Sequence, residues 1–126
     1  MIEFEALALK RSPNQYLLAP EGLCPRVRRY RASDTYHVPA DELERELLAI
    51  ARAEPRTRVT ESDPARRKHK IVQRSRVFRF PDDIDVQIFE RGAAESTLAI
   101  YSRARYGWSD MGVNAARVKR WLPGLF

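Results

Sequence analysis

The chain has little of what metal or thiol chemistry needs: one cysteine, Cys24, and two histidines, His37 and His69, in 126 residues. A lone cysteine excludes an internal disulfide and leaves no zinc-ligand spacing to find. Cys24 reads as a small apolar residue rather than a nucleophile. Glycine is scarce as well, at five residues. Gly107-Trp108-Ser109-Asp110-Met111-Gly112 has the glycine spacing of a phosphate loop, but Val113-Asn114 stands where Lys-Ser/Thr is needed, and Asp110 would repel a phosphate. No Gly-x-Ser-x-Gly elbow is present. Asp82, Asp83 and Asp85 lack the glycine and terminal glutamate of a calcium loop, so they read as a solvated strand start, with a part as structural partners of the neighbouring residues as the alternative. No apolar run approaches the roughly 20 residues of a membrane-spanning helix. The opening Met1-Ile2-Glu3-Phe4-Glu5 is acidic where a secretory signal is basic. The expectation is a cytoplasmic protein with no metal and no cofactor.

What the chain does have is positive charge. Lysine and arginine number 23 against 17 aspartate and glutamate, a formal net charge of +6, within a globular balance of 44% hydrophobic and 32% charged residues. That balance favours anionic partners and says nothing about fold. Arginines gather at Arg26, Arg28, Arg29 and Arg31, and again at Arg66 and Arg67 beside Lys68 and Lys70. No nucleic-acid-binding motif accompanies them, and a solvated basic surface is the plainer reading.

The length fits one domain. Residues 1–37 carry Pro13, Pro20, Gly22 and Pro25. They read as an irregular N-terminal arm packed on the domain, with short extended pieces near Phe4–Leu9 and Gln15–Ala19. Residues 38–126 read as an α+β core. A helix starts near Pro39 and stops before Pro55, with Leu43, Leu47, Ile50 and Ala51 as its apolar stripe. Strands follow at Arg58–Glu61 and within Lys70–Phe80, whose alternation is imperfect. Ile84, Val86 and Ile88, then Leu98 and Ile100, alternate cleanly around a turn at Gly92–Ala94. That hairpin sets Val86 opposite Ile100, Ile88 opposite Leu98, Asp85 opposite Tyr101 and Asp83 opposite Arg103. A last helix spans about Met111 to Leu122, with Met111, Ala115, Val118 and Leu122 facing inward and Asp110 as its N-cap. Sequential strands predict an antiparallel sheet of about four strands with both helices on one face. Phe89 and Tyr101 then project on an uncovered face, where a homodimer contact is possible.

The densest chemistry lies where the last strand meets the last helix. Arg103, Arg105, Tyr106, Trp108, Asp110, Asn114 and Arg117 combine guanidiniums, aromatic rings, a carboxylate and free helix-start amides. As a binding site they would take an anionic small molecule or a partner's acidic segment. The structural alternative has Arg103 and Arg105 bound to Asp83 and Asp110, with Asn114 satisfying a loop carbonyl. An enzyme acting through Arg105, Asp110 and Tyr106 on a small acidic substrate is a second reading. Nucleic-acid or anionic membrane-surface association through the arginine clusters is a third.

The blocks Phe80-Pro81-Asp82-Asp83-Ile84-Asp85-Val86, Ser102-Arg103-Ala104-Arg105, Gly107-Trp108-Ser109-Asp110-Met111-Gly112-Val113-Asn114 and Arg117 resemble a bacterial family, domain of unknown function 1499. Ser12-Pro13-Asn14 and Val38-Pro39-Ala40 extend the resemblance over almost the whole chain. It implies one compact domain and assigns no activity. Many relatives follow Pro-Asn with cysteine, where this chain has Gln15; that departure weakens any idea of an essential thiol. Some relatives carry an apolar N-terminal anchor, which this sequence does not show.

Overall fold

The computed structural model describes residues 1–125, and of Pro123 the backbone alone. Phe126, the last residue of the expected 38–126 core, lies outside the described residues. The elements are β1 (Gln15–Ala19), β2 (Arg31–Ala32), α1 (Ala40–Ala53), β3 (Thr57–Asp63), β4 (Lys68–Arg74), β5 (Pro81–Gly92), β6 (Glu95–Ala104) and α2 (Val113–Trp121).

The class is α+β, but the sheet has six strands, in the order β2-β1-β6-β5-β4-β3, instead of four. It is mixed: β2 runs parallel to β1, and every other neighbouring pair is antiparallel. The two extra strands come from residues 1–37. Gln15 pairs with Arg103 and Leu18 with Ile100, so the beginning of the chain is built onto the last strand.

The β5–β6 hairpin adopts the register read from alternation. Asp83 lies opposite Arg103, Asp85 opposite Tyr101, Val86 opposite Ile100 and Ile88 opposite Leu98, with an irregularity between Glu90 and Gly92 that accommodates the turn. Lys70–Phe80 is not one strand. β4 ends at Arg74, residues 75–80 form an exposed turn, and Pro81 opens β5, the strand position where its missing N–H does least harm. That division removes the parity conflict. Ile71 is core, whereas Val77, Phe78 and Phe80 belong to no strand.

Leu43, Leu47 and Ala51 of α1 and Val118 and Trp121 of α2 join one apolar cluster with Leu18, Ile71, Ile84, Val86, Ile88, Leu98 and Ile100. The opposite face is covered by the start of the chain: Phe4, Leu7, Cys24 and Val27 pack with Leu17, Ala99 and Tyr101. Tyr101 is therefore only 5% exposed, and Phe89 packs against the same cluster. The open face expected around Phe89 and Tyr101 does not exist, and the argument for a homodimer contact there goes with it. Phe4–Ala6 is a 3-10 turn rather than an extended piece.

The last helix begins later than its apolar spacing suggests. Met111 and Gly112 have φ of 56° and 82°, left-handed conformations that cannot continue a right-handed helix. Met111 is 95% exposed, and the buried positions are Asn114, Arg117, Val118 and Trp121. The spacing i, i+3, i+4, i+7 is intact, but polar residues hold half of it. No helix among the described residues is long and apolar enough to cross a membrane.

Candidate functional site

Strand alternation divides the aspartates of β5 between two faces. Asp82 points toward α2, while Asp83 and Asp85 point to the other side, and each meets an arginine. On the helix side Arg117 is buried at the centre of a polar network. Its Nε donates to Gln73 Oε1 (2.6 Å), its Nη1 to Asn114 Oδ1 (2.7 Å) and Ser102 Oγ (3.0 Å), and its Nη2 to Asp82 (2.8 Å). Ser102 donates in turn to Asn114 Oδ1 at 2.6 Å. Burial pushes the Asp82 carboxyl up, and the Arg117 hydrogen bond pulls against it.

Asn114 carries the network onward. Its amide donates to Asp110 at 2.6 Å and to the Asn14 carbonyl at 3.4 Å. Asp110 also accepts from the backbone N–H groups of Gly112 and Asn114, at 2.8 and 3.0 Å. The N-cap of α2 is Gly112 and not Asp110 as expected, because the left-handed pair at 111–112 delays the helix; Asp110 instead bonds the first-turn amide of Asn114 from outside it. These donors outweigh partial burial and hold the Asp110 carboxyl below its ordinary range. Asn14 closes the arrangement by donating to the Gly107 carbonyl (2.6 Å).

On the other face the ion pairs run diagonally across the register. Arg105 grips Asp83 with Nε (3.0 Å) and Nη2 (2.7 Å). Arg103 reaches Asp85 at 2.6 Å and lies 4.7 Å from the centre of the Tyr101 ring. Burial alone would raise Asp83; Arg105, with Lys70 behind it, outweighs burial and lowers it. Asp85 also accepts the backbone N–H of Ile2 at 3.3 Å, which ties the chain's start to the sheet. The pairing of Arg103 and Arg105 with carboxylates matches the structural alternative in kind. The partners are Asp85 and Asp83, and Asp110 serves the helix.

The seven residues singled out at the strand–helix junction therefore separate. Asn114, Arg117 and Asp110 form the internal network, and Arg103 is held by Asp85. Tyr106 and Trp108 are in solvent, 63% and 66% exposed. Arg105 alone lines a sizeable cleft.

That cleft, of about 580 Å³, lies against β3 and β4. Arg56, Arg58, Arg74, Arg79 and Arg105 line it with Thr57, Thr60, Val72 and Glu54. Arg58 and Val72 are cross-strand partners, which places both on the face away from the helices. Among the described residues Arg56, Arg58, Arg74 and Arg79 make no salt bridge. Arg56 Nε donates to the Arg74 carbonyl (3.0 Å) and Arg74 Nη1 to the Arg79 carbonyl (2.9 Å), so protein carbonyls hold them in place without neutralising them. Glu54 is engaged by Arg120 and by Trp121 Nε1 (2.8 Å); these contacts outweigh burial and keep its carboxyl low. Arg56 and Arg79 have φ of 54° and 59°, left-handed conformations that non-glycine residues seldom adopt. A smaller cleft of about 290 Å³ adjoins it, sharing Arg56 and Arg74 and adding Arg76, Arg117 and Arg120.

Sequence reading missed this cleft because its arginines are scattered, whereas the runs it did mark are employed elsewhere. Arg66 clamps Glu3 at 2.9 and 2.5 Å, Arg67 pairs with Asp41 at 2.7 Å, and the buried Lys68 ammonium sits 3.1 Å from Glu3. Arg29 and Arg31 line a separate cleft of about 620 Å³ with Lys10 and Arg11. Ser62, His69 and Glu44 form a hydroxyl–imidazole–carboxylate row, at 2.7 and 2.6 Å. His69 is buried beneath α1, and the clefts above do not include it, so the row joins the β3–β4 hairpin to the helix.

A family model for proteins of unknown function, DUF1499, matches residues 9–125. The chain belongs to the DUF1499 family. No curated protein matches it. Among solved structures it is similar to the di-domain aromatase/cyclase BexL of the BE-7585A biosynthetic pathway, at 17% identity and a TM-score of 0.52. The match covers 74% of this chain but 43% of that one, so the chain spans less than half of the larger protein, and the likeness is one of fold. In this DUF1499 chain the blocks that carried the family resemblance meet in space. Asn14, Asp82, Ser102, Asn114 and Arg117 belong to one network, in which bonded residues lie up to 100 positions apart. Those blocks specify the joint that anchors α2 to the sheet, and the cleft lies beside that joint.

Proposed function

We propose that this DUF1499 domain is a binding module for a small, multiply charged anion, held in the cleft of Arg56, Arg58, Arg74, Arg79 and Arg105. One observation carries the reading: four of these guanidiniums converge with no carboxylate partner among the described residues. Like charges held together repel, and the carboxylate in the wall, Glu54, is taken by Arg120 and Trp121. A phosphate or polycarboxylate would relieve that repulsion and accept forked guanidinium hydrogen bonds. Two left-handed arginines in the wall also fit a site where local strain is retained for function.

The lining favours holding over transforming. It has no imidazole or thiol, and its carboxylate, Glu54, is already bound by Arg120 and Trp121, which lower its proton affinity. The space between the helices and the sheet is filled by Trp121, Leu43, Leu47 and the Arg117 network, so the ligand belongs on the surface cleft.

The test is calorimetric titration with inorganic pyrophosphate. Binding is expected to weaken at least about tenfold in Arg58→Ser/Arg79→Ser, with an unchanged melting temperature, and to weaken as salt rises. Equal affinity in the double variant, or no heat with any di- or tri-anion, would overturn the reading.

A further inference from the structure

Large apolar side chains at the surface are concentrated in one place. Val77, Phe78 and Phe80 occupy the turn between β4 and β5, and Tyr106, Trp108 and Met111 the loop between β6 and α2. Their exposures run from 58% for Phe80 to 95% for Met111. Among the described residues, Met1 and Val113 are the other large apolar side chains of this kind.

The two loops leave the same end of the sheet. Arg74 and Pro81 form the last β4–β5 pair, Asp82 lies opposite Ala104, and Arg105 N–H donates to the Pro81 carbonyl at 3.1 Å. Ser75 and Arg76 of the first loop line a cleft together with Val113, which follows the second. The tip is preorganised. Phe78 and Phe80 stack with centroids 5.6 Å apart, and the Phe80 carbonyl and N–H both bond to Ser75. Met111 holds a left-handed backbone with its side chain in water, fixed by hydrogen bonds from its own N–H to Ser109 and from the Gly112 N–H to Asp110. Guanidiniums stand at the base: Arg74 at the end of β4 and Arg76 and Arg79 in the first loop make no salt bridge among the described residues, while Arg105 beside them is paired with Asp83, and Asp82 and Asp110 are engaged by Arg117 and Asn114.

We infer that this tip is a membrane-docking element, whose aromatic and aliphatic side chains enter the interface of an anionic bilayer while the arginines at its base meet lipid phosphates. Tryptophan and tyrosine favour the headgroup region, and isolated projecting rings suit a deformable surface. Basic groups just behind an inserted tip are drawn to anionic lipid. A second copy of the chain fits less well, because a self-complementary contact would bring two arginine collars together. The inference goes beyond the anion-binding cleft and does not need the cleft to be occupied.

The test is co-sedimentation with vesicles of phosphatidylcholine, with and without phosphatidylglycerol, while tryptophan emission is recorded. Trp121 is buried, so a spectral change reports Trp108. Partitioning is expected to rise about tenfold or more with the anionic lipid, with a blue shift and quenching by brominated acyl chains. Phe78→Ser/Trp108→Ser should lose at least tenfold while melting unchanged, and Arg58→Ser, which impairs the cleft, should still sediment. Absence of binding to anionic vesicles overturns the inference. So does undiminished binding of Phe78→Ser/Trp108→Ser, or adsorption that leaves Trp108 unquenched, since either would assign contact to the basic surface at large.

Discussion

Arg117 and Asp82 are joined at 2.8 Å, and the remaining bonds of the same guanidinium tie α2 to β4 and β6. Removing the cation alone leaves a mostly buried carboxylate, a serine and two amides without their shared donor, at the wall of the smaller cleft. Arg117→Ala is expected to cost about 3–5 kcal/mol. Arg117→Met combined with Asp82→Leu should recover part of that loss, because no buried charge is then left unpaired. Urea unfolding of the single and double variants measures both; a loss below about 1 kcal/mol in Arg117→Ala would remove the network from any account of stability.

The two arginines of β6 should differ in the same assay. Arg103 is mostly buried against the enclosed Asp85, so Arg103→Ala is expected to cost about 3 kcal/mol. Arg105 is half open and lines the cleft, and Asp83 keeps Lys70 at 3.9 Å when it is gone. Arg105→Ala should cost about 1 kcal/mol. Equal losses would mean that exposure does not set the scale here.

Much of this was legible in the sequence, for local reasons. The β5–β6 register could be read because alternation and a short turn together leave one solution. The α1 stripe was equally plain. Met111 misled because spacing takes no account of φ, and a left-handed pair at 111–112 delays the helix. The β1–β6 pairing left no local trace, since hydrogen bonds between distant segments impose no pattern on either alone. The cleft was hidden for the same reason: Arg58 and Arg74 lie on neighbouring strands, and Arg105 reaches it from the far end of the chain. Of the runs that stood out by proximity, Arg66, Arg67, Lys68 and Lys70 proved to be paired with carboxylates, while Arg29 and Arg31 line a different cleft.

Glu3 makes the hold of the chain's start pH-dependent. Hydrogen bonds from Arg66 and Lys68 hold its carboxyl at about 2, against an ordinary 4.5. A depressed carboxyl stabilises the folded state above the unfolded pKa and loses that contribution as pH falls through the folded one. Stability should therefore decline from about pH 4.5 toward pH 2, and Glu3→Gln should flatten that part of the curve. Solvent around Glu3 keeps the effect modest. Thermal unfolding across this interval checks it; identical slopes in both proteins would dismiss the clamp.

Arg79 should reveal a conflict between stability and binding. Glycine accepts φ of 59° without the clash that a Cβ introduces. Arg79→Gly is expected to gain about 0.5–1 kcal/mol in urea while weakening pyrophosphate binding several-fold. A variant that is both less stable and unaltered in binding would mean that Arg79 is neither strained nor engaged.

The pairing of β1 with β6 governs the order in which the molecule can be made. A ribosome releases residues 15–19 well before residues 95–104, so the first strand must wait for its neighbour while α1 and β3 to β5 are made. During that interval Leu17, Leu18 and the apolar residues around them have no sheet to join. Their burial waits on that long-range pairing, and contacts of this kind slow folding and prolong the exposure of apolar surface.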